Sequence, residues 1–289
     1  MSLVRSHHRA VLRNLKPHLE DGQEPSCLHP GLVWEAARTS TAVDTGRIAD
    51  LIRSLDTAGL MPPIEHLALD APMCPDWCRW GIQQLLTDIQ RTRGTDDTEF
   101  SAPHMKEGIA HLEDARETLR RVWPEAALEM DLLIRAIVYV QGGAFRSGTL
   151  RQTFGAIYLG TASVESTPAA FEALLHETGH HALYLRNHFE TFVTNGDAMV
   201  SHALRPDPRP VAGAVHAAHV LARMTYGLAR WAGEPAAPPE VSERRDQALR
   251  RLKETIAALE PVAEWTERGR LYFDDLLKWE QELTGTHPG

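Results

Sequence analysis

Apolar residues recur every three or four positions along most of the chain, which is the spacing of helices that bury one face. In the first hundred residues this pattern predicts a helix around residues 48–55, ending near Gly59, and a second helix from about Asp76 to Ile89. Further on it predicts two helices that meet at Trp123 and Pro124, and two more that close the chain. The protein is therefore predicted to be mostly helical.

The helix that begins at Pro124 is predicted to end in the β-branched run at 134–140, and residues 144–160 predict one or two strands. Thr167 and Pro168 follow as an N-cap and a first-turn proline, and they predict a helix over about 168–187. A proline-rich loop is predicted at 205–210, before a helix over 211–231. The fold class predicted is mainly α with a small β-sheet (α+β), in which a zincin-like helix next to the short sheet packs in a helical bundle.

The segment 91–103, RTRGTDDTEFSAP, is polar, charged and rich in turn-forming residues, which is typical of a linker or a long exposed loop. It predicts two domains. Residues 1–100 would form an N-terminal helical region, and residues 101–289 would form a catalytic domain that ends in the C-terminal helices.

Composition excludes several classes of protein. The 289 residues carry a net charge of −9, which disfavours binding to a phosphate backbone, so no nucleic acid is expected as a partner. No apolar stretch approaches twenty residues, so no membrane span is expected, and the first residues lack the apolar run of a signal peptide. Three cysteines argue against a disulfide scaffold and favour a reducing cytoplasm, with Cys74 and Cys78 as ordinary buried thiols.

Fifteen histidines direct attention to metal chemistry, and residues 176–180 read His-Glu-Thr-Gly-His. Two histidines four positions apart on a helix differ by about 40° in direction and lie about 6 Å apart along the axis. His176 and His180 can therefore converge on one metal ion. Glu177 lies on an adjacent face, where it could contact a metal-bound water or orient a ligand.

A third ligand is needed, and the next strong helix offers His216 first and His219 second. Glu190 and Asp197 are the alternatives on the pattern of metallopeptidases. His181 points to the wrong face for this role, and His188 is predicted at a solvated helix end.

Arg223 follows His216 by seven residues, which places it on the same helix face about 10 Å further along the axis. Because a guanidinium binds a carboxylate through two parallel hydrogen bonds, Arg223 suits the far carboxylate of a dicarboxylate that chelates the metal. An ordinary pairing with an acid at the helix surface is the alternative. Arg205 and Arg209, in the proline-rich segment, are further candidates.

The segments HETGHHALYLRN (176–187), SHALRPDPRPVAGAVHAAHVLARM (201–224) and FRSGTLRQTFGAIYLG (145–160) resemble a known family. It comprises the HExxH-motif peptide-modification proteins encoded beside genes for ribosomally synthesised peptides, and the resemblance covers about residues 120–235. Members are recognised as iron(II)- and α-ketoglutarate-dependent peptide β-hydroxylases. The HExxH element is common to many families, whereas its combination with PDPRP and a histidine six residues after the last proline is more specific.

The resemblance implies that His176, His180 and His216 bind iron(II) and that Arg209 or Arg223 binds α-ketoglutarate. It implies O2 as the oxidant and a ribosomally synthesised precursor peptide as the partner. Glu177 would then orient a ligand instead of acting as an obligatory base. Three histidines depart from the usual pair of histidines with one carboxylate, which keeps zinc and hydrolysis in consideration.

Two other functions fit the same residues. In a zinc metallopeptidase Glu177 would be the general base, and Glu190 or Asp197 could replace His216. In a peptide-binding scaffold four protein ligands would close a structural metal site. For the hydroxylase, residues 151–159 are expected to form a strand edge with which the substrate peptide pairs. The identity of the peptide and the oligomeric state are left open by the sequence.

Overall fold

The structure is a computed structural model, and it describes residues 10–11, 29–37, 63–68, 74–93, 105–140, 145–189, 191–202 and 205–285. The helix predicted around 48–55, most of the predicted linker 91–103 and the predicted domain boundary at residue 100 lie outside these ranges. The described chain forms two compact units. The first comprises Met1–Asp114 and Ala127–Ala173, and the second comprises Ala115–Ala126 and Leu174–Gly289.

Helices dominate the described ranges, and the predicted mainly α class with small sheets is confirmed. None of these helices combines the length and the apolar character that crossing a bilayer requires. Eight helices are present in the described ranges: α1 (Pro30–Ala37), α2 (Asp76–Arg93), α3 (Met105–Val122), α4 (Pro124–Leu133), α5 (Thr167–Phe189), α6 (Val211–Ala232), α7 (Pro239–Leu259) and α8 (Glu267–Thr284).

The first unit contains a four-stranded sheet of order β1-β2-β4-β3, in which β1, β2 and β4 run parallel and β3 pairs antiparallel with β4. Its strands are β1 (Glu65–Ala68), β2 (Ala136–Val140), β3 (Ser147–Gly148) and β4 (Ala156–Gly160). All of β4 and four of the five residues of β2 are buried. Such uninterrupted apolar runs are typical of strands covered on both faces.

The peptide-pairing edge predicted at 151–159 is wrong. Residues Arg151–Thr153 form a single 3-10 turn, and β4 lies inside the sheet between β2 and β3. The pattern AIYLG is apolar at every position, which indicates burial on both faces but does not specify whether the strand lies inside the sheet or at its edge.

A core of aromatic and aliphatic side chains packs around α2 in the first unit. Trp77 and Cys78 are almost inaccessible there, and Cys74 is also buried. Both thiols are free, as predicted. Burial, with a hydrogen bond to Cys74 as the next cause, raises the pKa of the Cys78 thiol above its ordinary value, so this sulfur stays protonated.

Helix α5 begins one residue earlier than predicted. Ser166 and not Thr167 is the N-cap: its hydroxyl accepts a hydrogen bond from the Ala169 amide (3.3 Å), and its carbonyl accepts one from Ala170 (2.9 Å). Thr167 is the first helical residue, and Pro168 follows in the first turn, where a missing N–H costs nothing.

The proline-rich loop predicted at 205–210 is wrong, because these residues form strand β6 (Arg205–Pro210) in the second unit. It pairs antiparallel with β5 (Met199–His202), with Val200 opposite Arg209. The three prolines occupy alternate positions, so their missing N–H groups all fall on one edge of the strand. The other edge keeps its donors and can pair with β5, which is the arrangement that a strand tolerates.

Candidate metal centre

The predicted metal ligands lie on α5 and α6, and all three belong to the second unit. These two helices approach closely at Gly179, the fourth residue of the His-Glu-Thr-Gly-His motif. A Cβ at this position would stand 3.1 Å from Val220 Cγ1 and 3.1 Å from Arg223 Cδ. The glycine therefore brings the motif against the middle of α6, and any larger residue requires the Arg223 side chain to move.

His176 and His180 converge as the spacing predicts. Their Nε2 atoms lie 3.1 Å apart. An ion bound at about 2.1 Å from each nitrogen would subtend an angle of about 95° between them, which suits adjacent ligands of a six-coordinate metal. The two donors thus fit one transition-metal ion without movement of the helix.

The protonation of the pair also fits a metal. Burial lowers the pKa of His176 from its ordinary value of 6.5 to about 4. Burial, together with the charges of the neighbouring histidines, lowers the pKa of His180 well below its ordinary value. Both imidazoles are therefore neutral at physiological pH, which is the form that binds a metal.

His216 lies beside the pair but on a different side of His180. Its Nδ1 is 3.3 Å from Nδ1 of His180, and the two rings stack at 5.5 Å with an angle of 26°. Tyr184 also contacts the His216 ring, at 4.9 Å between centroids. Among the described residues no group of three histidine, cysteine or acidic side chains meets in the geometry of a metal site. The role of His216 as a ligand stays a prediction.

Glu177 is 1% exposed, and its Oε1 lies 3.8 Å from Nε2 of His176. The carboxylate is thus on the side of His176 that faces His180, close to where a bound ion would lie. This placement is compatible with either of its predicted roles, as the orienter of a ligand or as a base that acts on a metal-bound water.

Arg223 is buried, with 4% of its surface exposed, and its guanidinium carbon lies 5.2 Å from the centre of the Trp123 ring. Arg209 is half-buried on β6, and its Nε and Nη2 have no hydrogen-bond partner within the described part of the chain. The side chain of Arg205 lies outside the described residues. Of these three candidates, the structure brings Arg223 against the histidine motif.

The remaining candidates do not join the metal pair, or they lie outside the described residues. Asp197 is exposed, and His181 is fully buried. Glu190 and the side chain of His188 lie outside the described residues. His219 is 3% exposed, and its Nδ1 contacts the hydroxyl of Tyr272 at 2.7 Å.

Two contacts of the site were missed by the sequence analysis. Met224 Sδ lies 3.3 Å from Nδ1 of His176, and Tyr272 on α8 contacts His219. Met224 follows His216 by eight residues, so the helical face that predicted Arg223 could also have indicated Met224. No local spacing connects Tyr272 with the motif, because the contact arises only from packing of α8.

No model of a known protein family matches the chain, and a search of curated proteins finds no significant match.

Proposed function

We propose that the protein is an Fe(II)- and α-ketoglutarate-dependent oxygenase that β-hydroxylates a residue of a ribosomally synthesised precursor peptide. The observation that carries the proposal is the buried Arg223, whose side chain packs against Gly179 in the motif that brings His176 and His180 together. A buried cation next to a metal clamp suits a ligand that offers a chelating end and a distant carboxylate.

In this proposal His176 and His180 bind the metal, and His216 is the third ligand. The bound iron supplies redox chemistry that couples decarboxylation of α-ketoglutarate, by O2, to hydroxylation of a C–H bond. Three neutral imidazoles leave the charge of a divalent ion uncompensated, so a dianionic co-substrate balances the site where the more usual carboxylate ligand is absent.

The other residues position these groups. Arg223 binds the far carboxylate of α-ketoglutarate, and the Trp123 ring shields its guanidinium from water. Met224 occupies Nδ1 of His176, which directs Nε2 of that ring toward the metal. Glu177 orients the ligand set from its buried position.

The proposed partner is the precursor peptide, and the proposed compartment is a reducing cytoplasm. The free thiols of Cys74 and Cys78 support the latter, because thiols persist where glutathione and thioredoxin keep them reduced.

The direct test is turnover without the peptide. The protein is purified anaerobically, reconstituted with Fe(II) or Zn(II), and exposed to air with α-ketoglutarate. We expect succinate that requires Fe(II), measured by mass spectrometry, because oxygenases of this chemistry decarboxylate their co-substrate slowly on their own. An absence of succinate, even with candidate precursor peptides added, would contradict the proposal.

The second candidate is a zinc metallopeptidase, and the buried Glu177 at 3.8 Å from His176 Nε2 favours it. There Glu177 would take a proton from the zinc-bound water that attacks the peptide carbonyl. The two functions differ in how much they need this carboxylate.

Replacing Glu177 with glutamine discriminates between them. For the oxygenase we expect a fall in succinate formation of about tenfold or less, because the amide keeps an oxygen that accepts a hydrogen bond from a ligand. For the peptidase we expect a fall of at least about 100-fold, because the base is lost. Glu172→Gln, on the same helix and half-buried, is the matched control and should retain the wild-type rate.

A further inference from the structure

A second polar pair lies beside the metal pair and is not used by it. His219 follows His216 by one turn of α6 and is 3% exposed. Its Nδ1 lies 2.7 Å from the hydroxyl oxygen of Tyr272 on α8. The Tyr272 ring in turn stacks flat on Phe192, at 4.6 Å with an angle of 4°. This stacking fixes the position of the hydroxyl.

The hydrogen bond couples the tautomer of His219 to the direction in which the Tyr272 hydroxyl hydrogen points. Burial raises the pKa of Tyr272 and lowers that of His219, so both groups are neutral. When the phenol donates its hydrogen to Nδ1, the imidazole hydrogen resides on Nε2. This Nε2 is buried and has no hydrogen-bond partner in the described part of the chain. A buried donor left without an acceptor is costly, which indicates that a ligand supplies the acceptor.

The surroundings of this donor are positively charged. Arg223 follows His219 by four residues on the same face of α6 and is also buried. Arg186, half-buried on α5, acts with Arg223 to lower the pKa of His219 further through their charges. The positive charges of Arg223 and Arg186 act on His219. A donor N–H in such a field favours an anion, and Arg side chains favour a planar carboxylate.

We propose that His219 Nε2–H and Arg223 together form a carboxylate-binding pocket for one end of a small dicarboxylic acid, with Tyr272 as the residue that positions His219. The identification of this acid as α-ketoglutarate rests on the proposed function. Carboxylate binding itself needs no metal, because every group of the pocket belongs to the protein.

The test measures binding to the metal-free full-length chain. Glutarate has the two carboxylates of α-ketoglutarate and lacks the keto group that chelates a metal. We expect isothermal titration calorimetry to detect glutarate binding and to detect none of the uncharged glutaramide. Failure of the wild-type protein to bind glutarate at millimolar concentrations would overturn the proposal.

Variants locate the binding. Tyr272→Phe and His219→Leu are each expected to weaken glutarate binding about tenfold or more, since each disturbs a hydrogen bond to a charged group. His219→Gln should recover part of the affinity, because its amide N–H extends to about the position of Nε2. Imidazole ¹⁵N spectra should show His219 protonated at Nε2 in the wild type and a mixture of tautomers in Tyr272→Phe.

The chain offers a matched control for the tyrosine variant. In the first unit the hydroxyl of Tyr139 lies 2.8 Å from Nδ1 of His66, a pair of the same chemistry. Tyr139→Phe should leave glutarate affinity unchanged. Equal affinity in wild type, Tyr272→Phe and His219→Leu would overturn the pocket, and so would an equal loss in Tyr139→Phe and Tyr272→Phe.

Three further outcomes separate this pocket from the proposed function and from another source of carboxylate. Glutarate binding that depends on His219 and Tyr272, without Fe(II)-dependent succinate, would support the pocket and contradict the oxygenase. Succinate formation unaffected by both variants would support the oxygenase and overturn the pocket. Binding of N-acetyl-aspartate amide but not of glutarate would overturn the dicarboxylate assignment in favour of an acidic residue of the peptide.

Discussion

Replacing His180 with alanine is expected to lower Fe(II)-dependent succinate formation by at least about 100-fold. Removing a residue that hydrogen-bonds to a metal ligand typically costs about 10- to 100-fold, and removing the ligand itself costs more. His180 is the central residue of the site. Its Nε2 lies 3.1 Å from His176, and its Nδ1 lies 3.3 Å from His216. His176→Ala should have a similar effect, since it removes the other converging nitrogen.

The measurement combines turnover with metal content after anaerobic reconstitution. The bound iron should fall well below one ion per chain in both variants. His111→Ala is the control, because His111 is half-buried on α3 and its side chain contacts that of Thr167 (3.2 Å), which is not a residue of the site. Full iron content and turnover in His180→Ala would refute the metal centre.

Two substitutions of His216 are needed, because its Nδ1 faces Nδ1 of His180. This is also the position of a residue that hydrogen-bonds to a metal ligand without binding the metal. His216→Ala removes both possible functions. His216→Asn keeps an oxygen acceptor close to the position of Nδ1. If His216 is the third ligand, as we propose, both variants lose iron. Retention of iron by His216→Asn alone would instead assign it as the hydrogen-bond partner of His180.

The spacing of apolar residues and the residues at the helix starts predicted the two helices of the site well. Helix α6 was predicted over 211–231 and spans Val211–Ala232, and α5 was predicted over about 168–187 and spans Thr167–Phe189. Their apolar faces and a proline in the first turn of α5 are local signals that tertiary packing does not override. The proline-rich strand was missed because prolines normally end a strand, and only their alternate positions allow β6 to pair.

The site was predictable only as far as one helix determines it. The convergence of His176 and His180 follows from a spacing of four residues, so the motif alone predicts it. The orientation of His216 depends on how α5 and α6 pack at Gly179, which no periodicity specifies. Tyr272 comes from a helix about fifty residues further along, and its contact with His219 could not be inferred without the fold.

Replacing Gly269 with alanine is expected to destabilise the second unit by about 3 kcal/mol, at the upper end of the usual cost of overpacking. Gly269 lies in the first turn of α8, and a Cβ there would collide with the carbonyl oxygen of Phe192. That oxygen already accepts a hydrogen bond from the Thr266 amide (2.9 Å), so it has little freedom to move. The hydroxyl of Thr266, the N-cap, also accepts from the Gly269 amide (3.0 Å).

Gly213→Ala is the matched control, since Gly213 is helical and exposed and an added Cβ meets nothing within 4 Å. It should be neutral or stabilise the protein by up to about 1 kcal/mol, because alanine is the better helix former. Both variants are compared by chemical denaturation, and equal stability would show that α8 moves away from Phe192 without cost. Because Phe192 stacks on Tyr272, displacement of α8 also shifts the Tyr272 hydroxyl away from His219. Gly269→Ala should therefore weaken glutarate binding in whatever fraction still folds, whereas Gly213→Ala should not.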